Sequence, residues 1–571
     1  MDESSDFSQF DGVSDDQLPI AKHELHGWSH FLGLYAGEHV AATEFVIGAT
    51  FVALGAKTVD ILLGLLIGNV LAILSWTLIT APIAVQTRLS LYTYLEKIAG
   101  GGMTRLYNWA NVLIFTVISA AMITVSSTAV RFVFGIPAQL DWYPNDAKFV
   151  MVVLAVGVVV VFVAMYGFKA VAEFSGICAP WLVTMFTAGA LVMMPALADS
   201  VLGHTTLSSL SDFIKIGDNS IWTGVNAAGE PGIGLWEVIG FAWAANTLTH
   251  FGLIDMALFR FAKKSVYGLC TSAGMLFGHY VAWISAGIMG AGTAVLVGKT
   301  IDQLDPGDVA NQALGWSGFV IVIIAGWTTA NANLYRAGLA AQSLFPKRTR
   351  QQTTLAVGIA TVVVACFPFV FTQILPLLTY AGLIVVPVGG VVFATHFIFP
   401  LLGLKRYWVS YRKLTSSTPA VIAWGVGLAF GFGLNALNIM SFYYLFLPTW
   451  VVTIVVYTLL AWRAGAGEDY PEEQAAMQEQ ETRVEAYLEH KSATADPVEE
   501  DVSTLTRTLR VIAWSALVVT ALFALNTMFR STDMNTYELN RDAFYRYAFI
   551  GTVVYFVAAY WALQRSKNTQ H

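Results

Sequence analysis

The sequence predicts an all-α integral membrane protein of about fourteen spans, the first ten forming two inverted halves of five helices. Three observations carry this. The 571 residues are 56% hydrophobic and only 12% charged, about half the charged fraction that covers a water-soluble domain. Apolar runs close to the roughly 20 residues needed to cross a bilayer recur along nearly the whole chain. Two of these runs, five helices apart, carry glycines and polar clusters that a lipid-facing helix does not tolerate. That pairing marks the discontinuous first helices of an inverted repeat.

In chain order, an acidic tail (1–27) precedes the first half (28–199), with spans at 30–54, 59–84, 106–134, 148–168 and 176–198. A loop (200–234) leads into the second half (235–400), with spans at 235–259, 266–297, 314–342, 353–372 and 374–399. Spans 11 and 12 (418–437 and 441–462) lie within 401–463. An acidic linker (464–508) then separates this body from a C-terminal hairpin (509–571) with spans at 510–529 and 544–563.

The tail shows no basic stretch ahead of an apolar one, so it does not read as a cleavable signal. The inner loops up to span 12 carry fifteen Lys/Arg, among them Arg88, Lys263, Arg348 and Lys405. The outer loops carry three (Lys57, Lys215, Lys299) and nine acids, including Asp141 and Asp302. This asymmetry places the N-terminus in the cytoplasm and predicts a multi-pass protein of a bacterial inner membrane. The linker is then cytoplasmic. Residues 471–490 fit a surface helix, and the latter half of the linker reads as disordered. It is a solvated connector or a regulatory arm.

Cys178, Cys270 and Cys366 fall inside apolar runs without a CxxC pair, so neither a disulfide framework nor a metal site is indicated. The chain has no HExxH, GxSxG or Walker A motif and no broad basic patch, which argues against an enzyme, a resident cofactor and nucleic-acid binding. Gly48, Gly55, Gly64 and Gly68 predict close helix packing in spans 1 and 2.

Span 1 reads GLYAGEHVAATEFVIGATF and puts Glu38, His39, Thr43 and Glu44 at middle depth. Ionisable groups there are expensive and point into a bundle or a cavity. Span 6 groups Asn246, Thr247, Thr249, His250 and Asp255. Broken helices at these two places would offer free backbone N–H and C=O groups to a ligand or an ion. Span 8 contains AGWTTANANLYRAG, in which Ala325, Thr328 and Thr329 share one helix face. A free carbonyl and two hydroxyls there make three hard ligands suited to sodium. Alternatively, both hydroxyls bond back to carbonyls one turn earlier.

On the polar first helix, DMALFRFAKK in span 6 and GWTTANANLY in span 8, residues 25–462 resemble the nucleobase–cation symporter-1 family of cytosine permeases and hydantoin transporters. The resemblance implies a leucine-transporter-type inverted-repeat fold and uptake of a small planar heterocycle, usually with sodium. It implies a sodium site between spans 1 and 8, onto which Ala325, Thr328 and Thr329 map, completed by carbonyls near Gly37 and Val40. The chain departs from the family in the middle of span 3, where Ser119, Met122 and Thr124 replace a Trp and a Gln, and in the charged residues of span 1. The linker and last two spans exceed the family's twelve.

The expected substrate stacks on Trp243 or Trp327 between spans 1, 3, 6 and 8. Asn246, Thr247, His250, Asn331 and Asn333 are the expected edge readers, with Glu38, His39 and Ser119 beside them. Glu38 is also a candidate proton carrier, since a low-dielectric interior favours a neutral carboxyl. Sodium or protons are therefore the coupling ions to test. Two alternatives stay open: a symporter for amino acids or compatible solutes on the same fold, proton-coupled through Glu38, and a transporter-like sensor signalling through the acidic linker. Substrate and oligomeric state are not legible.

Overall fold

The computed structural model describes residues 18–166, 168–493 and 503–568. The first seventeen residues of the acidic tail and the segment 494–502, expected to be disordered, lie outside them. Among the described residues, eleven helices are long and apolar enough to cross a bilayer. They are spans 2 to 5, 7, 8 and 10 to 14. Span 9, Arg350–Ala365, is shorter at 16 residues.

Spans 1 and 6 are each broken. Span 1 is Trp28–Glu38 and Thr43–Ala53. Span 6 is Leu235–Ala244, a single turn at Thr247–His250, and Met256–Phe259. Both interruptions fall where the polar strings predicted them.

Span 2 (Thr58–Thr87) packs on span 6, and span 7 (Ser265–Val297) packs on span 1. Glycine makes both approaches close. A Cβ on Gly48 would lie 2.5 Å from the Trp283 carbonyl oxygen, and one on Gly68 would lie 2.5 Å from that of Ile239. Span 3 (Leu91–Val133), span 4 (Ala147–Tyr166), span 8 (Trp316–Leu344) and span 9 form a second packed group. Span 5 (Phe168–Leu202) and span 10 (Ile374–Leu401) straddle the two. Gly100 kinks span 3 at φ +82°, where a Cβ would lie 2.8 Å from the Thr415 carbonyl oxygen, so the helix begins well before residue 106.

The loop between spans 7 and 8 contains an outer helix, Pro306–Leu314, which the periodicity does not reveal. Asp305 caps it by accepting from the Asp308 N–H, and Pro306 sits at its first position, both favoured at a helix start. Asp305 also receives Arg131, from the outer end of span 3, at 2.6 Å.

The C-terminal hairpin, Thr504–Arg530 and Met534–Asn568, leans on span 5. Trp181 Nε1 donates to Thr552 Oγ1 at 3.0 Å, and Tyr555 donates to the Ile177 carbonyl at 2.6 Å. The linker is helical over Pro471–Ala493 and lies against the body near Lys22 and Arg88. Lys22 pairs with Glu489 and Lys405 with Asp469, each at 2.8 Å, and Arg88 pairs with Glu485. Leu488 is the buried residue of this arm and borders a cavity of about 120 Å³ shared with Ile20, Arg260 and Phe261.

Candidate substrate and ion site

Two clusters of polar groups occupy the middle of the molecule, one on each packed group of spans. The first is built around the two breaks. The inner half of span 1 ends with the His39 N–H donating to the Tyr35 carbonyl at 3.3 Å, and the helix resumes at Thr43. Span 7 comes so close to this break that a Cβ on Gly278 would lie 2.2 Å from the His39 carbonyl oxygen. In span 6 the chain after His250 is irregular, and Leu253 takes φ +63°, a region that costs free energy for a residue with a side chain. Gly389 of span 10 covers this stretch, since a Cβ there would meet the Phe251 carbonyl.

Asn246 Nδ2 lies 3.2 Å from His279 Nδ1 of span 7. The His279 ring is 5.4 Å from His39 and stacks on Trp283 at 4.2 Å. Trp283 Nε1 in turn donates to the carboxyl of Glu44. Toward the inside, Asp255 Oδ2 accepts from Tyr35 and from Trp76, both at 2.7 Å. The Trp76 ring sits 4.8 Å from His250 and 6.0 Å from His39. His250 Nε2 meets the Trp243 carbonyl at 3.1 Å, so it is the donor, and the His250 carbonyl accepts from Thr80 at 2.7 Å. Trp76 and His279 both lie in π-helical stretches, 76–80 and 273–281, a distortion frequent at functional sites because it re-aims side chains.

The second cluster joins spans 3 and 8. Ser119 donates to the Ala330 carbonyl at 3.3 Å. Thr329 Oγ1 donates to the Ala325 carbonyl at 2.9 Å, and Thr328 Oγ1 lies 2.8 Å from the Ile324 carbonyl and 3.3 Å from that of Ala325. Asn331 and Asn333 donate back to the carbonyls of Trp327 and Thr329 at 2.9 and 3.0 Å. Asn331 Oδ1 and Trp327 Nε1 are buried without a partner among the described residues. They belong to residues one turn apart on the same helix face.

No family model matches the chain, and no curated protein matches it. Solved structures do. Mhp1 in an inward-facing conformation superposes with a TM-score of 0.62 at 15% identity, over 83% of this chain and 97% of its own. Mhp1 as a nucleobase-cation-symport-1 family transporter, closed with bromovinylhydantoin bound, gives 0.61 at 16% identity over 83% and 99%. A Na+-coupled sialic acid symporter, substrate-bound and outward-open, gives 0.51 at 12% identity over 76% and 89%. The fold is of the leucine-transporter type. At these identities the likeness carries the architecture and nothing finer.

On this leucine-transporter-type frame, His39, Asn246 and His250 come together at the two breaks, whereas Ser119, Asn331 and Asn333 gather on spans 3 and 8. Thr247 closes the span 6 break by donating to the Ala244 carbonyl at 2.7 Å. Trp243 is turned away from the breaks. Its indole donates to Ser75 of span 2 at 3.0 Å and meets Phe446 of span 12 edge-on. Glu38 ends the inner half of span 1, and its side chain lies outside the described residues.

Both threonines of span 8 bond back along the helix, the alternative raised by the sequence. The carbonyl of Ala325 is therefore not free as the sequence reading required: span 8 is continuous there, and the carbonyl accepts from both Thr328 and Thr329. Gly37 packs on span 5, where a Cβ would lie 3.4 Å from the Ser175 carbonyl oxygen, and Val40 is buried.

Four residues of the first cluster, Tyr35, Trp76, His279 and Trp283, are absent from the sequence-derived site. The signal existed for His279. It is an ionisable group at middle depth in HYVAWISAG, subject to the same argument that singled out His39.

Proposed function

We propose that this protein is a secondary active transporter that couples inward movement of a cation, sodium first, to uptake of a small planar nitrogen heterocycle by alternating access. The observation that carries the reading is the convergence of both breaks on one imidazole: Asn246 of span 6 and His39 of span 1 each approach His279 of span 7. Freed backbone groups, amide and imidazole edges and the faces of Trp76 and Trp283 together suit a flat ring with donors and acceptors on its rim. The unpartnered Asn331 Oδ1 and Trp327 Nε1 add one acceptor and one donor, the complement of a cyclic amide edge. The hydantoin named for Mhp1 has such edges.

In this reading Glu38, His39, Asn246, Thr247 and His250 contact the substrate from spans 1 and 6. Ser119, Asn331 and Asn333 contact it from spans 3 and 8, and Trp243 supports the span 6 break from behind. Sodium is carried by Ala325, Thr328 and Thr329, joined by the carbonyls of Gly37 and Val40 when span 1 approaches span 8.

The test is a thermal-stability screen of the purified protein against nucleobases, hydantoins, amino acids and betaines in sodium or choline chloride. A ligand that binds only the folded state raises the melting temperature by mass action. One heterocycle stabilising only in sodium, with the dependence abolished in Thr328→Ala/Thr329→Ala, supports the reading. Stabilisation by an amino acid or a betaine, with every heterocycle inert, sinks the substrate class. Stabilisation indifferent to sodium sinks the ion site.

A further inference from the structure

We propose that Glu44 is a proton-binding site, neutral in this conformation, whose proton is exchanged with water in each transport cycle. The inference rests on the transporter reading for its cycle, and on the geometry alone for the proton.

Glu44 stands in the first turn of the outer half of span 1, directly after the break, and is 2% exposed. Its carboxyl has two partners among the described residues. Trp283 Nε1 donates to one oxygen, and the Ala41 N–H lies 3.4 Å from the other. Both donors are neutral, and no Lys or Arg pairs with Glu44 among the described residues. The titratable groups beyond these are His279, stacked on the Trp283 ring, and His39 past it. The other elements packed on this half-helix are spans 5 and 6, through Phe45–Phe186 and Phe51–Phe241, which place no ionisable side chain against Glu44 in any contact among the described residues, and the loop after span 7 with the segment leading into span 10. The loop and span 10 bring Asp302, Asp305, Asp308 and Tyr380, and Asp305 and Asp308 are occupied by Arg131. The surroundings therefore supply negative or neutral groups and no compensating cation.

A carboxylate at middle depth in a membrane costs several kcal/mol, and two neutral donors do not repay the desolvation of a full charge. A proton does. It is taken from water, and one O–H bond forms on the carboxyl. The Trp283 bond survives, because the other oxygen still accepts. The site is also poised to lose that proton. Glu44 belongs to span 1 and Trp283 to span 7, so a state in which water enters between them hydrates the carboxyl and lets it ionise. One residue then alternates between a dry neutral form and a wet charged one, which is what coupling to a proton gradient requires.

The experiment uses the full-length protein in liposomes, as wild type, Glu44→Gln and Trp283→Phe. Infrared spectroscopy reads the carbonyl stretch of a protonated carboxylic acid and needs no substrate. The expected result is such a band in the wild type at neutral pH, its loss in Glu44→Gln, and its displacement in Trp283→Phe, which removes the indole donor. With the heterocycle that binds, Glu44→Gln should retain exchange but lose the accumulation, up to about tenfold per unit, that a pH gradient drives. Absence of the band, or a band unchanged in Glu44→Gln, would overturn the proton site while leaving transport intact. Accumulation by Glu44→Gln equal to wild type under a pH gradient would overturn the coupling. A band that behaves as expected in a protein that transports nothing would overturn the coupling and the transporter reading together.

Discussion

Tyr35 donates a 2.7 Å hydrogen bond to Asp255, tying the inner half of span 1 to the inner end of span 6. Both residues are buried, and the same carboxyl oxygen also receives Trp76 from span 2. The two discontinuous helices are thus fastened at one end by one acceptor. Tyr35→Phe removes a single donor without changing the ring, and the expected cost is about 1–2 kcal/mol, read by thermal or denaturant unfolding in detergent. Asp255→Leu leaves two buried donors unsatisfied and should cost more. Equal costs would mean the carboxyl is not the shared anchor.

The opposite end has its own fastening. Arg131 and Asp305 are nearly inaccessible, and Arg131 reaches Asp308 as well at 2.8 Å. This joins the cap of the outer helix to the end of span 3. Asp305→Ala takes away the helix cap and one of the two carboxylates of Arg131, while Asp308 still compensates part of the charge, so the cost should fall below the roughly 3–5 kcal/mol of a fully broken buried pair. The double variant Arg131→Met/Asp305→Leu should recover most of that loss. A double variant as unstable as the single one would show that the cap itself, not the charge pair, holds the helix.

Close packing of span 1 on span 7 gives a third expectation. A Cβ on Gly48 would be 2.5 Å from Ala286 Cβ, whereas one on Gly176 of span 5 meets nothing within 4 Å. Gly48→Ala should therefore lower stability by about 1–3 kcal/mol through overpacking, and Gly176→Ala should change it by much less. Similar effects at both positions would contradict the interhelical distance seen at Gly48.

Much of this architecture was legible because the membrane makes polar residues conspicuous. Glu38, His39 and Glu44 in one apolar run, and Asn246 to Asp255 in another, mark both breaks in the sequence itself. The pairings were not legible. Asp255 meets Tyr35 and Trp76 across 220 and 179 residues, and no local pattern records such a contact. The outward turn of Trp243 was hidden for a related reason. Faces packed on protein and faces packed on lipid are both apolar, so the hydrophobic stripe that orients a helix in water is missing. The same ambiguity concealed that the C-terminal hairpin docks on span 5 through Trp181 and Tyr555.

The arm Pro471–Ala493 gives the last expectation, one that depends on salt and pH. Its contacts to the body include the pairs Lys22–Glu489 and Arg88–Glu485, a His23–Ser492 hydrogen bond and buried Leu488, and just before it Asp469 pairs with Lys405. Lys22 holds the carboxyl of Glu489 below its ordinary value, and Lys405 does the same for Asp469. An acid lowered in this way favours the docked arm at every pH above its undocked value, about 4.3 for Glu and 3.9 for Asp. The contribution fades as pH falls through the docked value. Docking by these pairs should therefore be constant from pH 8 down to about 5 and weaken below that. Raising the salt to about 1 M shortens the screening length from about 10 Å to about 3 Å and should weaken it at any pH. Hydrogen exchange of 471–493 is the measurement, on the wild type, Glu485→Gln/Glu489→Gln and Leu488→Ser. Faster exchange in salt for the wild type, with the double Gln variant already fast and indifferent to salt, assigns the docking to the ion pairs. Exchange that responds only to Leu488→Ser assigns it to the apolar contact beside Ile20 and Phe261.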